Sequence, residues 1–184
     1  MKLAALDIET LGLGTRSHVT DIGLVLAYMD TDFKLNYQNG LRIRLDQKEQ
    51  SSLSRYSNDA TLKFQYKTHG EKAFKKHLDS PKDYTIMKSA DAFNAIRSAC
   101  EDAEEIWING LSFDTAILNT LREETNCEKP LWFFRKERDV RTVRETNSFV
   151  FEHTKTLATH DAYLDAKWNI KVARSYHRWT KSKL

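Results

Sequence analysis

The 184 residues predict an α/β domain built on a mixed sheet, and three observations carry that prediction. Two-residue apolar periodicity fills the N-terminal part of the chain, and 3.6-residue stripes alternating with short apolar runs fill the remainder. Strands first, then helices between strands, is the order of a layered α/β fold. Hydrophobic residues make up 40% and charged residues 30%, which supplies one core and excludes both a disordered chain and a membrane protein.

Two prolines, no internal repeat and no low-complexity tract mark no boundary, so one domain over residues 1–184 is expected. No stretch approaches the ~20 apolar residues of a spanning helix. Asp7 and Glu9 interrupt the first apolar run, Leu3–Leu6, before it can serve as a signal-peptide core. Cys100 and Cys127 have neither disulfide-framework nor zinc spacing, which suits a reducing cytoplasm. A net charge of +3 permits a polyanionic partner without demanding one.

The elements follow in order. Lys2–Ile8 reads as a strand with Leu3, Ala5, Asp7 and Glu9 on one face and Ala4, Leu6 and Ile8 on the other. Gly12 and Gly14 break the pattern, and Val19–Tyr28 resumes it. Phe33–Tyr37 and Leu41–Leu45 flank Gln38-Asn39-Gly40, a hairpin signal, so three strands joined by short turns should form an antiparallel meander. Asp59–Leu78 reads as two short helices separated at Gly70. An amphipathic helix over Asp91–Glu104 carries Phe93, Ile96, Cys100 and Ala103 on one stripe. Ile106–Asn109 is a buried strand, Phe113–Glu124 a helix, Arg138–Val143 a further short strand, and Asp161–Thr180 the last helix. The expected sheet has five strands, flanked by helices.

Asp7 and Glu9 end an otherwise apolar strand on the same face. Two like charges there repel each other and are costly to desolvate, so the pair either ends in solvent or holds a hard cation such as Mg²⁺ or Mn²⁺. Asp114 is in register with Ile117, Leu118 and Leu121 and is therefore carried toward the core at a helix start. An acid there also complements the helix dipole, which is the plainer explanation. Asp165 borders the small-residue face of Ala162, Ala166, Ile170 and Ala173. His160, five residues earlier, is about 140° round a helix from Asp165, so it shares a site with that acid only from the preceding loop or first turn.

In sequence order these acids and the histidine stand in L-D-I-E-T-L-G-L, I-N-G-L-S-F-D-T-A-I-L and H-D-A-Y-L-D-A-K. The set resembles the three motifs of the DEDDh 3′-5′ exonucleases of the ribonuclease H-like superfamily. It is most similar to the ribonuclease T-like branch and, within it, to the DexA-type exodeoxyribonucleases of T-even phages. L-R-I-R-L-D, D-A-T-L-K-F and F-F-R-K-E-R-D-V-R-T agree as secondary landmarks, and the resemblance spans nearly the whole chain.

The resemblance implies a ribonuclease H-like fold and a divalent-metal-dependent 3′-5′ exonuclease that cuts single-stranded DNA 3′ ends to nucleoside 5′-monophosphates. It implies metal ligation by Asp7, Glu9, Asp114 and Asp165, with His160 as general base. Asp7, Glu9 and Asp165 would hold one Mg²⁺ or Mn²⁺, and Asp7 would bridge to the second, with Asp114 contributing directly or through water. Thr10 and Leu11 would grip the terminal nucleotide. The chain would act as a monomer or homodimer in a bacterial or phage-infected cytoplasm, with no membrane partner. Asp139 and Arg141 match a landmark without an evident chemical role, and Phe64-Gln65-Tyr66 replaces an aromatic pair common in the family. The chemistry suits these residue types: two divalent ions activate water and stabilise both attacking and leaving oxygens, and a neutral histidine takes the water's proton. An exoribonuclease and a non-catalytic nucleic-acid-binding module are the alternatives.

Lys167, Lys171, Arg174, Arg178 and Lys181 form a basic stripe on the last helix, either a phosphate-tracking surface or a solvated face. Lys72, Lys75, Lys76 and His77 pose the same choice. Trp132, Phe133 and Phe134 beside Arg135, Lys136 and Arg138 suit base stacking or a core cluster, while Trp107 and Trp168 are expected in the core. Gly12-x-Gly14 fails as a dinucleotide loop, since Ser17 stands where a third glycine belongs.

Overall fold

The computed structural model describes residues 1–63, 66–67, 83–154 and 159–184. β1 (Lys2–Thr10), β2 (Val19–Met29) and β3 (Leu35–Leu45) are followed by α1 (Gln47–Ser52), β4 (Thr85–Met87) and α2 (Ser89–Cys100). β5 (Glu105–Ile108), α3 (Leu111–Glu124), β6 (Glu137–Asp139), α4 (Val140–Thr146), α5 (Ser148–His153) and α6 (Ala162–Lys181) complete the chain. The sheet order is β4-β3-β2-β1-β5-β6. β1–β2 and β2–β3 pair antiparallel, and β1–β5, β3–β4 and β5–β6 pair parallel, so the sheet is mixed with an antiparallel meander, as expected.

Three local expectations are corrected. The sheet has six strands rather than five, because Thr85–Met87 adds an edge strand too short and too exposed to leave an apolar signature. No hairpin forms at Asn39-Gly40: β3 runs straight through, and its register against β2 slips between Leu24↔Leu41 and Leu26↔Gln38. Glycine serves a bulge there, since a Cβ on Gly40 would stand 2.1 Å from the Leu24 carbonyl oxygen. Arg138–Val143 is strand only to Asp139, whose side chain accepts from the Arg141 N–H and starts α4. The helix pair expected at Asp59–Leu78, with Lys72, Lys75, Lys76 and His77, lies largely outside the described residues; positions 59–63 are helical.

Alternation along β1 divides the core into two layers. Ala4, Leu6 and Ile8 pack with Phe93, Ile96, Ile117, Leu118 and Leu121 under α2 and α3. Leu3 and Ala5 pack with Trp107, Ala166, Ile170 and Ala173 under α6. Burying each of the larger side chains contributes about 1.5–3 kcal/mol. The small-residue face of α6 lets the helix lie close to the sheet, closest at Gly23. Among the described residues no helix is long and apolar enough to cross a membrane.

Candidate active site

The face of β1 that packs under α6 continues outward as Asp7 and Glu9. Pairing of β1 with β5 stops at Leu6↔Ile108, so both acids project beyond the end of the neighbouring parallel strand. A bulge between Glu9 and Thr10 breaks the β1–β2 ladder at the same end. Asp165 is carried in from the first turn of α6. One carboxylate oxygen from each of Asp7, Glu9 and Asp165 lies within 4.8 Å of the others, close enough to share a cation.

Asp165 is fixed by its own approach segment. Its Oδ1 accepts from the Thr159 N–H at 3.0 Å and from the Thr159 hydroxyl at 2.9 Å, and its Oδ2 accepts from the His160 N–H at 3.0 Å. His160 therefore sits in the bend before α6, with a left-handed φ of 52°, and is one of the residues lining the cleft. Asp161 caps α6 by accepting from the Leu164 N–H at 3.1 Å, and the Tyr84 hydroxyl donates to the same oxygen at 3.1 Å. Arg42 stacks 3.9 Å from the Tyr163 ring centroid and packs the same helix start against β3.

Asp114 comes from the other face of the sheet, in the first turn of α3. The loop leading to it is pinned by Asp139, which accepts from the Gly110 N–H at 3.1 Å and from the Thr142 hydroxyl at 2.9 Å. That gives the Asp139 landmark a structural role. Asp114 is buried, and its Oδ2 has no hydrogen-bond partner among the described residues. It stands outside the 4.8 Å trio.

Electrostatics mark the cluster as strained without a cation. Burial first, then the charges of Asp114, Glu9, Asp165 and Asp161, holds Asp7 well above the ordinary carboxylate range. Burial, then Asp165 and Asp21, pushes Glu9 up to about 8. Burial likewise pushes Asp114 up to about 8, with Arg141 opposing the rise and Asp139 adding to it. Close, buried, partly unpartnered oxygen donors fit a hard divalent ion, which would replace the shared protons.

The acids floor a cleft of ≈ 270 Å³ lined also by Asn109, His160, Arg144, Trp168 and Asn169. Trp168 is half-buried: it packs against the α6-side core, as expected, and also lines the cleft, and its Nε1–H donates to the Thr154 carbonyl at 3.1 Å. Thr10 and Leu11 are buried and do not line the cleft: the Thr10 hydroxyl donates to the Gly12 carbonyl at 2.8 Å, and the Leu11 N–H donates to that of His18 at 2.9 Å. Asn169 and Arg144 were not singled out from the sequence. Asn169 was within reach, one helical turn after Asp165, whereas Arg144 was hidden by the strand expected at Arg138–Val143.

The remaining candidates are elsewhere. Phe133 and Phe134 are exposed, with Arg135 about 6 Å from each ring, at the opposite end of β6 from Asp139. Trp132 is half-buried and donates to Glu137 at 2.8 Å. In the basic stripe, Lys167 packs 4.8 Å over the Tyr37 ring and Lys181 5.2 Å over Phe33.

The sequence model of the family described as the 3′-5′ exoribonuclease Rv2179c-like domain matches residues 2–177. No curated protein matches the chain. Among solved structures, E. coli exonuclease I in complex with a 5cy-dT13 oligonucleotide is similar, with a TM-score of 0.61 at 12% identity. The likeness covers 94% of this chain and 40% of that one, and it establishes the ribonuclease H-like nuclease fold.

Proposed function

This chain belongs to the family of 3′-5′ exoribonuclease Rv2179c-like domains, and from that premise we propose a divalent-metal-dependent 3′-5′ exonuclease that releases nucleoside 5′-monophosphates from single-stranded DNA. The observation that carries the reading is the convergence of Asp7, Glu9 and Asp165 within 4.8 Å, with buried Asp114 beside them and His160 at the rim.

Asp7, Glu9 and Asp165 would hold one Mg²⁺ or Mn²⁺, and Asp7 with Asp114 the second. When bound, the two ions would activate water and neutralise charge on the phosphodiester. The side chains do the rest. The Thr159 and His160 backbone aims Asp165, and the Asp139-pinned loop delivers Asp114. His160, on the bend, takes the proton of the attacking water. Neutral imidazole is the form that can accept that proton. Thr10 and Leu11 are kept as contacts to the terminal nucleotide, which would require that corner to open when a strand binds.

DNA is preferred on the motif resemblance to exodeoxyribonucleases, and the family's description favours RNA as the second reading. Matched 5′-labelled single strands of DNA and RNA, digested side by side with Mg²⁺ or Mn²⁺, decide between them. Ladders that shorten from the 3′ end, faster for DNA, are expected; faster loss of RNA reverses the preference. His160→Ala should lower turnover at least about 100-fold while Mn²⁺ binding persists.

A further inference from the structure

Resting on the nuclease reading, we infer that Arg144 contacts the substrate: its guanidinium binds the phosphate of the nucleotide held at Asp7, Glu9 and Asp165. The cleft would then take nucleotide phosphate esters and discriminate against bare nucleosides.

Arg144 lines the same ≈ 270 Å³ cleft as the three acids, yet among the described residues no carboxylate lies within 4.0 Å of it. It is held by other means. Its Nε donates to the Thr154 hydroxyl oxygen at 3.3 Å, and its guanidinium carbon lies 4.8 Å from the Trp168 ring and 5.1 Å from the Phe151 ring. Thr154 is itself anchored, its hydroxyl donating to the Val150 carbonyl and its own carbonyl accepting from Trp168. The rings and Nε account for the flat part of the side chain. The two Nη groups have no hydrogen-bond partner among the described residues.

A guanidinium edge with unused donors is the planar fork that matches two phosphate oxygens. Its charge does not titrate, so it is present at every working pH. A phosphodiester approaching four carboxylates meets repulsion, and a fixed cation on the wall offsets part of it without reorganising. The stack on Trp168 and Phe151 keeps the fork from collapsing onto Asp165 or Glu9.

The rival account is that Arg144 only joins α4 and α5 to α6, so the experiment must read phosphate recognition and not stability alone. Calorimetric titrations compare deoxyadenosine 5′-monophosphate, deoxyadenosine and inorganic phosphate, with Mg²⁺ and with EDTA, against the parent, Arg144→Gln, Arg144→Lys and Lys183→Ala. In Mg²⁺ the parent should prefer the monophosphate over the nucleoside. Arg144→Gln should cut that preference about 10-fold or more, as expected for a lost charged hydrogen bond. Arg144→Lys should restore part of it, a point charge without the fork, and Lys183→Ala should leave it unchanged. A variant that melts lower but keeps the parental preference overturns the inference, as does equal weakening of nucleoside and monophosphate. Should Arg144→Gln fail to fold, Arg144→Lys carries the comparison: a preference equal to the parent's counts against the fork. A parent that degrades strands while Arg144→Gln keeps its phosphate preference sinks this inference alone. A parent that prefers monophosphates but releases nothing from any strand sinks the nuclease reading instead.

Discussion

Gly23→Ala adds one methyl group where α6 touches the sheet, directly across the β1–β2 ladder from Asp7. A Cβ at position 23 would lie 2.2 Å from the Ala162 carbonyl carbon, 2.3 Å from its oxygen and 2.3 Å from the Tyr163 nitrogen. All three are backbone atoms at the start of a helix, so no side chain can swing away. Restoring an ordinary carbon contact of about 3.4 Å requires α6 to retreat by ~1.2 Å, and Asp165, in its first turn, retreats with it. Oxygens that share one Mg²⁺ at 2.0–2.1 Å are at most ~4.2 Å apart. The three oxygens lie within 4.8 Å of one another, so small side-chain adjustments bring them onto one ion, whereas a further ~1.2 Å retreat of the Asp165 backbone works against that closure. Overpacking of this kind costs ~1–3 kcal/mol of stability, and an ångström of misplacement costs ~100-fold in rate. The assay pairs Mn²⁺ titration with nucleotide release at saturating metal, alongside a thermal melt that shows the variant folded. A folded Gly23→Ala protein with parental metal affinity and turnover would refute the argument that this glycine sets the spacing of the acids.

Metal-free stability should depend on pH in a direction opposite to that of most acid-rich sites. Glu9 ionises at about 8 when folded and near 4.5 when unfolded, so between those values the folded chain binds more protons and stability falls as pH rises. Full ionisation of Glu9 alone costs on the order of 5 kcal/mol, each kcal/mol lowering Tm by ~2–4 °C. Melts in EDTA should therefore fall from pH 5 to pH 8. Mg²⁺ should raise Tm more at pH 8 than at pH 5, because the ion displaces protons; a flat EDTA profile would count against the burial of these acids. At the far end of β5, Glu105 accepts from Trp107 Nε1 at 2.9 Å and contacts His177 and Arg138 at 2.9 and 3.2 Å. Glu105→Ala should lower stability by ~2–3 kcal/mol, leaving the buried indole N–H unpaired. Nucleotide release per folded molecule should be unchanged, and a specific loss of turnover would show that this cluster couples to the cleft.

Much of this was legible because the acids break local rules. Asp7 and Glu9 sit where an apolar strand should continue, and Asp114 lies on the apolar stripe of its helix, so periodicity drew attention to them, while the motif resemblance supplied their roles. Placing Asp165 opposite them needed the small-residue face of α6, which the sequence shows, and Gly23, whose role shows only once β2 is paired with β1. The failures have equally local causes. Asn39-Gly40 asks for a backbone that tolerates close approach, and a bulge satisfies that demand as well as a turn does. Val140, Thr142 and Val143 are β-branched and suit a strand, but the two valines are spaced three apart as on a helix, and the Asp139 side chain caps one at that point. That misreading concealed Arg144, which faces the cleft only in helical register. Trp168 reads as core and does pack against it, but its place on the cleft, with the indole N–H on the Thr154 carbonyl, shows only in the structure.

The most direct measurement follows a 5′-labelled single strand incubated with the parent or with Asp7→Ala, with Mg²⁺ or with EDTA. Asp7 is the acid that feels all the others. Stepwise shortening from the 3′ end is expected of the parent with Mg²⁺ only, and none of Asp7→Ala, although that variant still binds the strand. Equal shortening by parent and variant, or shortening that persists in EDTA, would contradict that expectation.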